Sequence, residues 1–157
     1  MSEQRMQAKR AYDTFCQMLD NQKWKYERNN ERLELKVGVE GQDFPFTLLI
    51  KVDEERFLLS IYCYLDVNVK ERRGYLDMAV GVSAVNMELI NGGFDYDFQT
   101  GKLMFRVVNS YKDSVISKEV YEYMLRISCQ TIDQYNDKFI LLASGNLSLE
   151  EFLAKVK

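Results

Sequence analysis

A chain of 157 residues with 46% apolar and 29% charged side chains has the size and make-up of one globular domain that needs no staples for its core. The net charge of −3 is spread as +2 over residues 1–36, −4 over 37–90 and −1 over the rest, so there is no basic arm or acidic tail and no reason to expect nucleic-acid or membrane binding. Histidine is absent, which removes the commonest acid–base group near neutral pH, the commonest metal ligand and every Cys-His or Ser-His-Asp nucleophile.

The start, Met1-Ser2-Glu3-Gln4-Arg5, lacks the apolar stretch of a secretory leader, and no apolar run is long enough to span a bilayer. Cys16, Cys63 and Cys129 are far apart and lie in apolar patterns, so they read as buried reduced thiols. A cytoplasmic protein is expected.

Residues 3–21 form the first predicted helix, with Ala8, Ala11, Tyr12, Phe15, Met18 and Leu19 on one stripe. Trp24 and Tyr26 alternate with charged residues in a short strand. Leu33, Leu35, Val37 and Val39 mark a half-buried strand that turns at Gly41-Gln42-Asp43. Phe44, Phe46, Leu48, Ile50 and Val52 follow, then a turn at Asp53-Glu54-Glu55-Arg56, then Phe57, Leu59, Ile61, Cys63 and Leu65. The only proline, Pro45, sits at a strand start, where a missing donor is tolerable.

A helix is predicted over 69–90, ending at Asn91-Gly92-Gly93, residues that tolerate left-handed backbone. A hairpin follows, Phe94 to Val107, turned by Asp97-Phe98-Gln99-Thr100-Gly101-Lys102. Ser117 starts a long helix reaching Ser144-Gly145. Ser148-Leu149-Glu150-Glu151 has the spacing of a capping box, with Leu147 and Phe152 as its hydrophobic staple. The order αββββαββαα, with no repeat and no linker, predicts a single α+β domain over residues 1–157, an antiparallel sheet with helices packed on it.

This order, the strand ending Tyr64-Leu65-Asp66, the pattern Asn86-x-x-Leu89-x-x-Gly92-x-Phe94-x-x-Asp97 with Gly101 closing the hairpin, and the terminal Gly145-x-x-Ser148-x-Glu150-Glu151-Phe152 resemble the YbjN family. That family is described as bacterial sensory-transduction regulators, with a fold similar to the dimeric chaperones of type III secretion. The resemblance covers roughly residues 20–155. It implies a chaperone-like fold and a homodimer with a protein or peptide partner. The family has no established catalytic residues, so none is implied, and neither is a cofactor or metal.

The individual residues carry little chemistry. Asp95 and Asp97 point the same way along a strand, but Asp97 is better placed as the turn's acceptor and Asp95 as a solvated residue. Gly92-Gly93 follows a helix and precedes a strand, the reverse of a phosphate loop. Lys23, Lys25 and Arg28 lie beside Trp24 and Tyr26 as a nucleic-acid site would require, but Glu27 and Glu31 are interleaved and inward-facing aromatics explain the pattern better.

Two apolar surfaces exceed what one sheet needs. Helix 69–90 has one stripe at Tyr75, Met78, Val82, Val85 and Leu89 and another at Leu76, Ala79, Val80, Ser83, Met87 and Ile90. Its small residues Ala79, Gly81, Ser83 and Ala84 admit a close neighbour, either helices of the same chain or a second copy. In the second case Leu76, Val80, Ser83 and Met87 are the candidate dimer interface.

On the outer face of the strand meander, the turns set Thr47 opposite Tyr62, Pro45 opposite Tyr64 and Lys51 opposite Leu58. Leu49, Leu58, Tyr62 and Tyr64 then form a candidate peptide-binding patch, although helix 117–144 also has two apolar stripes and is expected to cover it. The leading expectation is a non-enzymatic homodimeric protein- or peptide-binding domain. A small-molecule-responsive module with its pocket between sheet and helices comes second. An enzyme relying on a carboxylate or lysine comes third.

Overall fold

A computed structural model describes residues 1–157. Its elements are α1 (Glu3–Asn21), β1 (Glu27–Asn29), β2 (Glu34–Val39), β3 (Phe46–Asp53), β4 (Leu58–Leu65), α2 (Arg72–Glu88), β5 (Gly93–Tyr96), β6 (Leu103–Ser110), α3 (Lys118–Ser144) and α4 (Leu149–Val156). The six strands form one antiparallel sheet in the order β1-β2-β3-β4-β6-β5. After β4 the chain passes through α2, lays β5 at the far edge and returns as β6 beside β4. The predicted element order and class hold.

Strand alternation divides the sheet into two unlike faces. Leu35, Val37, Leu48, Ile50, Leu59, Ile61, Cys63, Phe94, Leu103 and Phe105 are buried on the inner face. There α1 and α3 pack on the central strands, while α2 packs on β5, α3 and α4. Phe94 meets Phe105, Tyr135 and Phe139 edge-on at 5.3, 6.2 and 5.0 Å, and Phe139 meets Phe152 at 5.2 Å, so one aromatic cluster ties β5, α3 and α4 together.

Local chemistry sets the helix ends. The hydroxyls of Ser2, Ser117 and Ser148 accept from the amides of Arg5, Val120 and Glu151, three N-caps of the same form. Gly145 ends α3 with φ 79°, a left-handed position that a Cβ would strain. Leu147 and Phe152 are both buried, in keeping with the predicted staple.

Three hairpins share one turn. In each, an Asx side chain opens the turn and a residue four positions later takes positive φ: Asn29 with Leu33 (54°), Asp53 with Phe57 (57°) and Asp97 with Gly101 (72°). The Oδ1 of Asn29 accepts from Arg32 N–H, that of Asp53 from Glu55 and Arg56, and that of Asp97 from Gln99. The segments Asn29-Asn30-Glu31-Arg32-Leu33 and Asp53-Glu54-Glu55-Arg56-Phe57 share an Asx at the first position and Glu-Arg at the third and fourth.

This turn corrects the expected register. Phe57 is spent in the turn rather than in β4, so Leu49 faces Tyr62, Lys51 faces Ser60 and Asp53 faces Leu58. The displacement is two residues, which leaves every side chain on its expected face.

The bounds of two elements also differ from expectation. Trp24 and Tyr26 precede the strand instead of forming it, half-buried in the chain that leads out of α1, where Lys23 has φ 59°. Helix α2 is shorter than 69–90 and stops at an extended Leu89 (φ −83°, ψ 132°). The left-handed residue comes later, at Gly92 (φ 73°), where a Cβ would lie 2.6 Å from the Phe105 ring. The expectation that α3 covers the outer face is overturned: α3 buries its apolar residues on the inner face, and no helix lies on the other side.

Candidate protein-binding surfaces

On the outer face, Leu49 and Tyr62 are directly paired across β3 and β4, with Lys36 and Arg106 on either side of them. Tyr64 pairs with Met104 one step along. Leu49, Leu58 and Tyr62 are half-buried by their neighbours, whereas Tyr64 is 58% exposed and Val108 is exposed beside them. Towards β1 the face becomes charged: Arg28, Arg32, Lys36 and Lys51, with Glu27 and Glu34, surround a shallow depression of about 360 Å³. Both signs of charge are interleaved in its wall.

At the end where β3 begins and β4 stops, a cleft of about 520 Å³ opens between the sheet and α3. Phe44, Phe46, Tyr64 and Leu65 supply its strand-side wall and Asn136 and Ile140 its helix side. The turn before β3 is fixed there because Asp133 Oδ1 accepts from Gln42 N–H at 3.0 Å. Gly41 makes that approach possible: its φ is 69°, and a Cβ would fall 2.2 Å from Phe44 O.

Helix α2 divides its two stripes. Met78, Val82 and Val85 are buried against the chain's own α3, α4 and β5, and a Cβ on Gly81 would lie 2.8 Å from Leu142 Cδ2 and 3.0 Å from Phe152 Cε1. The small-residue approach is therefore intramolecular at Gly81. Leu76, Val80, Ser83 and Met87 all face outward, and Ile90 extends the stripe. Of these, Leu76 is 62%, Met87 82% and Ile90 95% exposed. The candidate dimer residues thus share one face, and the candidate peptide residues share another.

The chemical candidates are accounted for locally. Asp95 pairs with Arg106 at 2.9 Å. Asp97 accepts from Thr100 Oγ1 at 2.8 Å and from Gln99 N–H at 2.9 Å, and these bonds hold its carboxyl below the ordinary range. The two carboxylates do not share a site. Burial pushes the Cys63 thiol up to about 12 and the Cys129 thiol up to about 11, so neither is a ready thiolate. Arg28 stacks 5.7 Å from the Tyr26 ring, and the Tyr26 hydroxyl donates to Asp20, an arrangement that fixes the start of β1.

Sequence reading missed two asparagines. Asn86 donates to Phe94 O and accepts from Phe94 N–H, and Asn136 is buried at the cleft with an unpartnered Nδ2. The first was visible only as one position in a pattern. The second had a signal, a polar residue on the buried stripe of α3.

No helix of the chain is long and apolar enough to cross a membrane. The family model of YbjN, described as "Putative bacterial sensory transduction regulator", matches residues 11–141. A sequence comparison with curated proteins finds no match. Among solved structures, the chain is similar to the crystal structure of YbjN from E. coli, described there as a "putative transcription regulator", with a TM-score of 0.60 and 17% identity over 80% of this chain and 87% of that one. It is also similar to a chain of the HopA1-SchA chaperone-effector complex, with a TM-score of 0.55 and 10% identity over 77% of this chain and 88% of that one. At these identities the structural likeness concerns the fold.

Proposed function

The chain belongs to the YbjN family, and from that premise we propose that it is a non-enzymatic homodimeric domain that holds a segment of another polypeptide, as a chaperone or regulatory adaptor. The observation that carries the reading is the uncovered outer face of the sheet. A face bearing Leu49, Leu58, Tyr62, Tyr64 and Val108 gains nothing from water, and an apolar patch with two tyrosines at alternate positions of one strand is suited to gripping the side chains of a polypeptide. The structural neighbour from a chaperone-effector complex supports a polypeptide as the kind of partner. The apolar stripe of α2 supports a two-fold dimer, since Leu76, Val80, Ser83 and Met87 form one continuous line that can meet its own copy.

The test is capture of a partner from native cell extract by tagged protein, followed by reconstitution with the purified partner. Tyr62→Ala with Tyr64→Ala should weaken binding tenfold or more, about 1.4 kcal/mol, with little change in melting temperature. Moderate salt should change the affinity little, unlike binding driven by phosphates. Unaltered affinity of the double variant for the reconstituted partner overturns the assignment of this face, and unfolding of the variant assigns the tyrosines to the core instead.

A further inference from the structure

We propose that the cleft between the start of β3, the end of β4 and α3 is a peptide-anchoring site, taking one apolar side chain, one main-chain carbonyl and one neighbouring lysine or arginine of the bound segment. The inference rests on the peptide-binding reading above and locates where along the sheet the segment is gripped. Its volume of about 520 Å³ lies within the range of ligand-holding clefts, roughly 300–1,000 Å³.

Asn136 carries the argument. It is 2% exposed, on the buried face of α3, where an aliphatic residue would serve the fold better. Its Oδ1 accepts from Asp137 N–H at 2.7 Å, which leaves Nδ2 as the free end of the amide. Its Nδ2 has no acceptor within the protein. A buried donor without a partner inside the chain favours an acceptor from outside it, and at the wall of an open cleft a bound segment can supply one. An uncharged oxygen suits it, and a peptide carbonyl is the most available.

The surroundings define the rest of the occupant. Phe44 and Tyr64, 43% and 58% exposed, form apolar walls at the mouth. Asp66 also lines the cleft and makes no ion pair within the chain, so a cation on the ligand is favoured there. A peptide fits better than a free small molecule because the cleft is continuous with the outer face. Leu49 and Tyr64 belong to both, and a segment anchored at Asn136 can run on along the strands.

The experiment uses isotope-labelled protein titrated with capped peptides acetyl-Gly-Lys-X-Leu-Gly-Gly-amide, X being Leu, Ile, Phe, Met, Tyr or Trp, and the same set with Glu for Lys. At least one lysine peptide should saturably shift the Asn136 side-chain amide together with Ile140 and Asp66. Asn136→Leu should melt at or above the wild-type temperature yet bind that peptide tenfold or more weakly. Asp66→Asn, an exposed change that leaves the fold alone, should abolish the preference for lysine over glutamate. Shifts confined to Ser60, Tyr62 and Lys51 overturn the cleft and leave the peptide-binding reading standing. Unchanged affinity of Asn136→Leu, or an unchanged charge preference in Asp66→Asn, also overturns it. No saturable shift with any peptide overturns both.

Discussion

Asn86 and Phe94 are joined by a pair of hydrogen bonds, Nδ2 donating to Phe94 O at 2.9 Å and Oδ1 accepting from Phe94 N–H at 2.8 Å. Phe94 lies on β5, an edge strand, and Asp97 N–H bonds Lys102 O on the inner side of that hairpin. By the alternation of an antiparallel ladder, residues 94 and 96 then turn their main-chain groups to the free edge. The side-chain amide of Asn86 satisfies both groups at Phe94 as the peptide of a neighbouring strand would. It thereby closes the middle of the edge to another chain. It also shows why α2 ends where it does: the last turn must stand over β5 for Asn86 to reach it, and the chain has only residues 89–92 in which to double back.

Asn86→Ala should therefore cost about 1–3 kcal/mol, the range for leaving a shielded main-chain pair without partners. Equilibrium urea unfolding measures the loss. Hydrogen exchange at the Phe94 amide should speed up selectively, ahead of the amides in the central strands. Equal exchange in the variant and the wild type would show that the pair contributes nothing to the edge.

The shared hairpin turn gives the same expectation for opposite substitutions at equivalent positions. Gly101 occupies its left-handed site without strain, and a Cβ there would lie 3.3 Å from Tyr75 Cε1. Gly101→Val should lower stability by on the order of 1–2 kcal/mol. Leu33 holds the same conformation at a similar intrinsic cost but is 2% exposed. Leu33→Gly relieves that strain and gives up a buried side chain worth about 2–5 kcal/mol, so it too should destabilise. A Leu33→Gly protein more stable than wild type in urea would mean that strain outweighs packing.

Much of the fold is written in alternation. The patterns at Leu35–Val39, Phe46–Val52 and Leu59–Cys63 show which side of each strand is buried, and serines at 2, 117 and 148 show where helices begin. What periodicity does not encode is partnership. The two stripes of α3 were legible, yet nothing local says that both turn inward; that follows from α1, α2 and α4 sharing the same side of the sheet. The register error at β3 and β4 arose because left-handed backbone at a Phe is uncommon, and no composition rule anticipates it. Of the candidate surfaces, the α2 stripe and the outer patch were legible from spacing alone. Asn136 was missed because a polar residue in a long apolar stripe, like Ser128 about two turns before it, looks like noise until its environment is seen.

Asp97 offers a test of its structural role by pH. Bonds from Thr100 and Gln99 hold its folded-state pKa below the ordinary value, so it contributes stability above that ordinary value, about 3.9. The contribution fades as pH falls from there through the lower folded value. Asp97→Ala should be less stable than wild type at pH 7, and the gap between their urea midpoints should close in strong acid. If instead the variant kept its neutral-pH stability and lost affinity for a divalent ion measured by calorimetry, the carboxylate would belong to a metal site and not to the turn.

The assembly is tested at Val80. Val80 is 39% exposed in the single chain and sits between Leu76 and Ser83 on the uncovered stripe of α2. An arginine there can reach solvent in a monomer, so the fold should survive. In a two-fold dimer the same arginine faces its own copy across the axis, and two like charges are taken out of water without partners. Val80→Arg should therefore convert a dimer to a monomer at micromolar concentration while keeping the circular dichroism spectrum of the parent. Light scattering coupled to size exclusion reads the mass directly. A wild-type protein that runs as a monomer under those conditions would remove the dimer from the proposed function, and a variant that stays dimeric would place the two-fold axis away from this stripe.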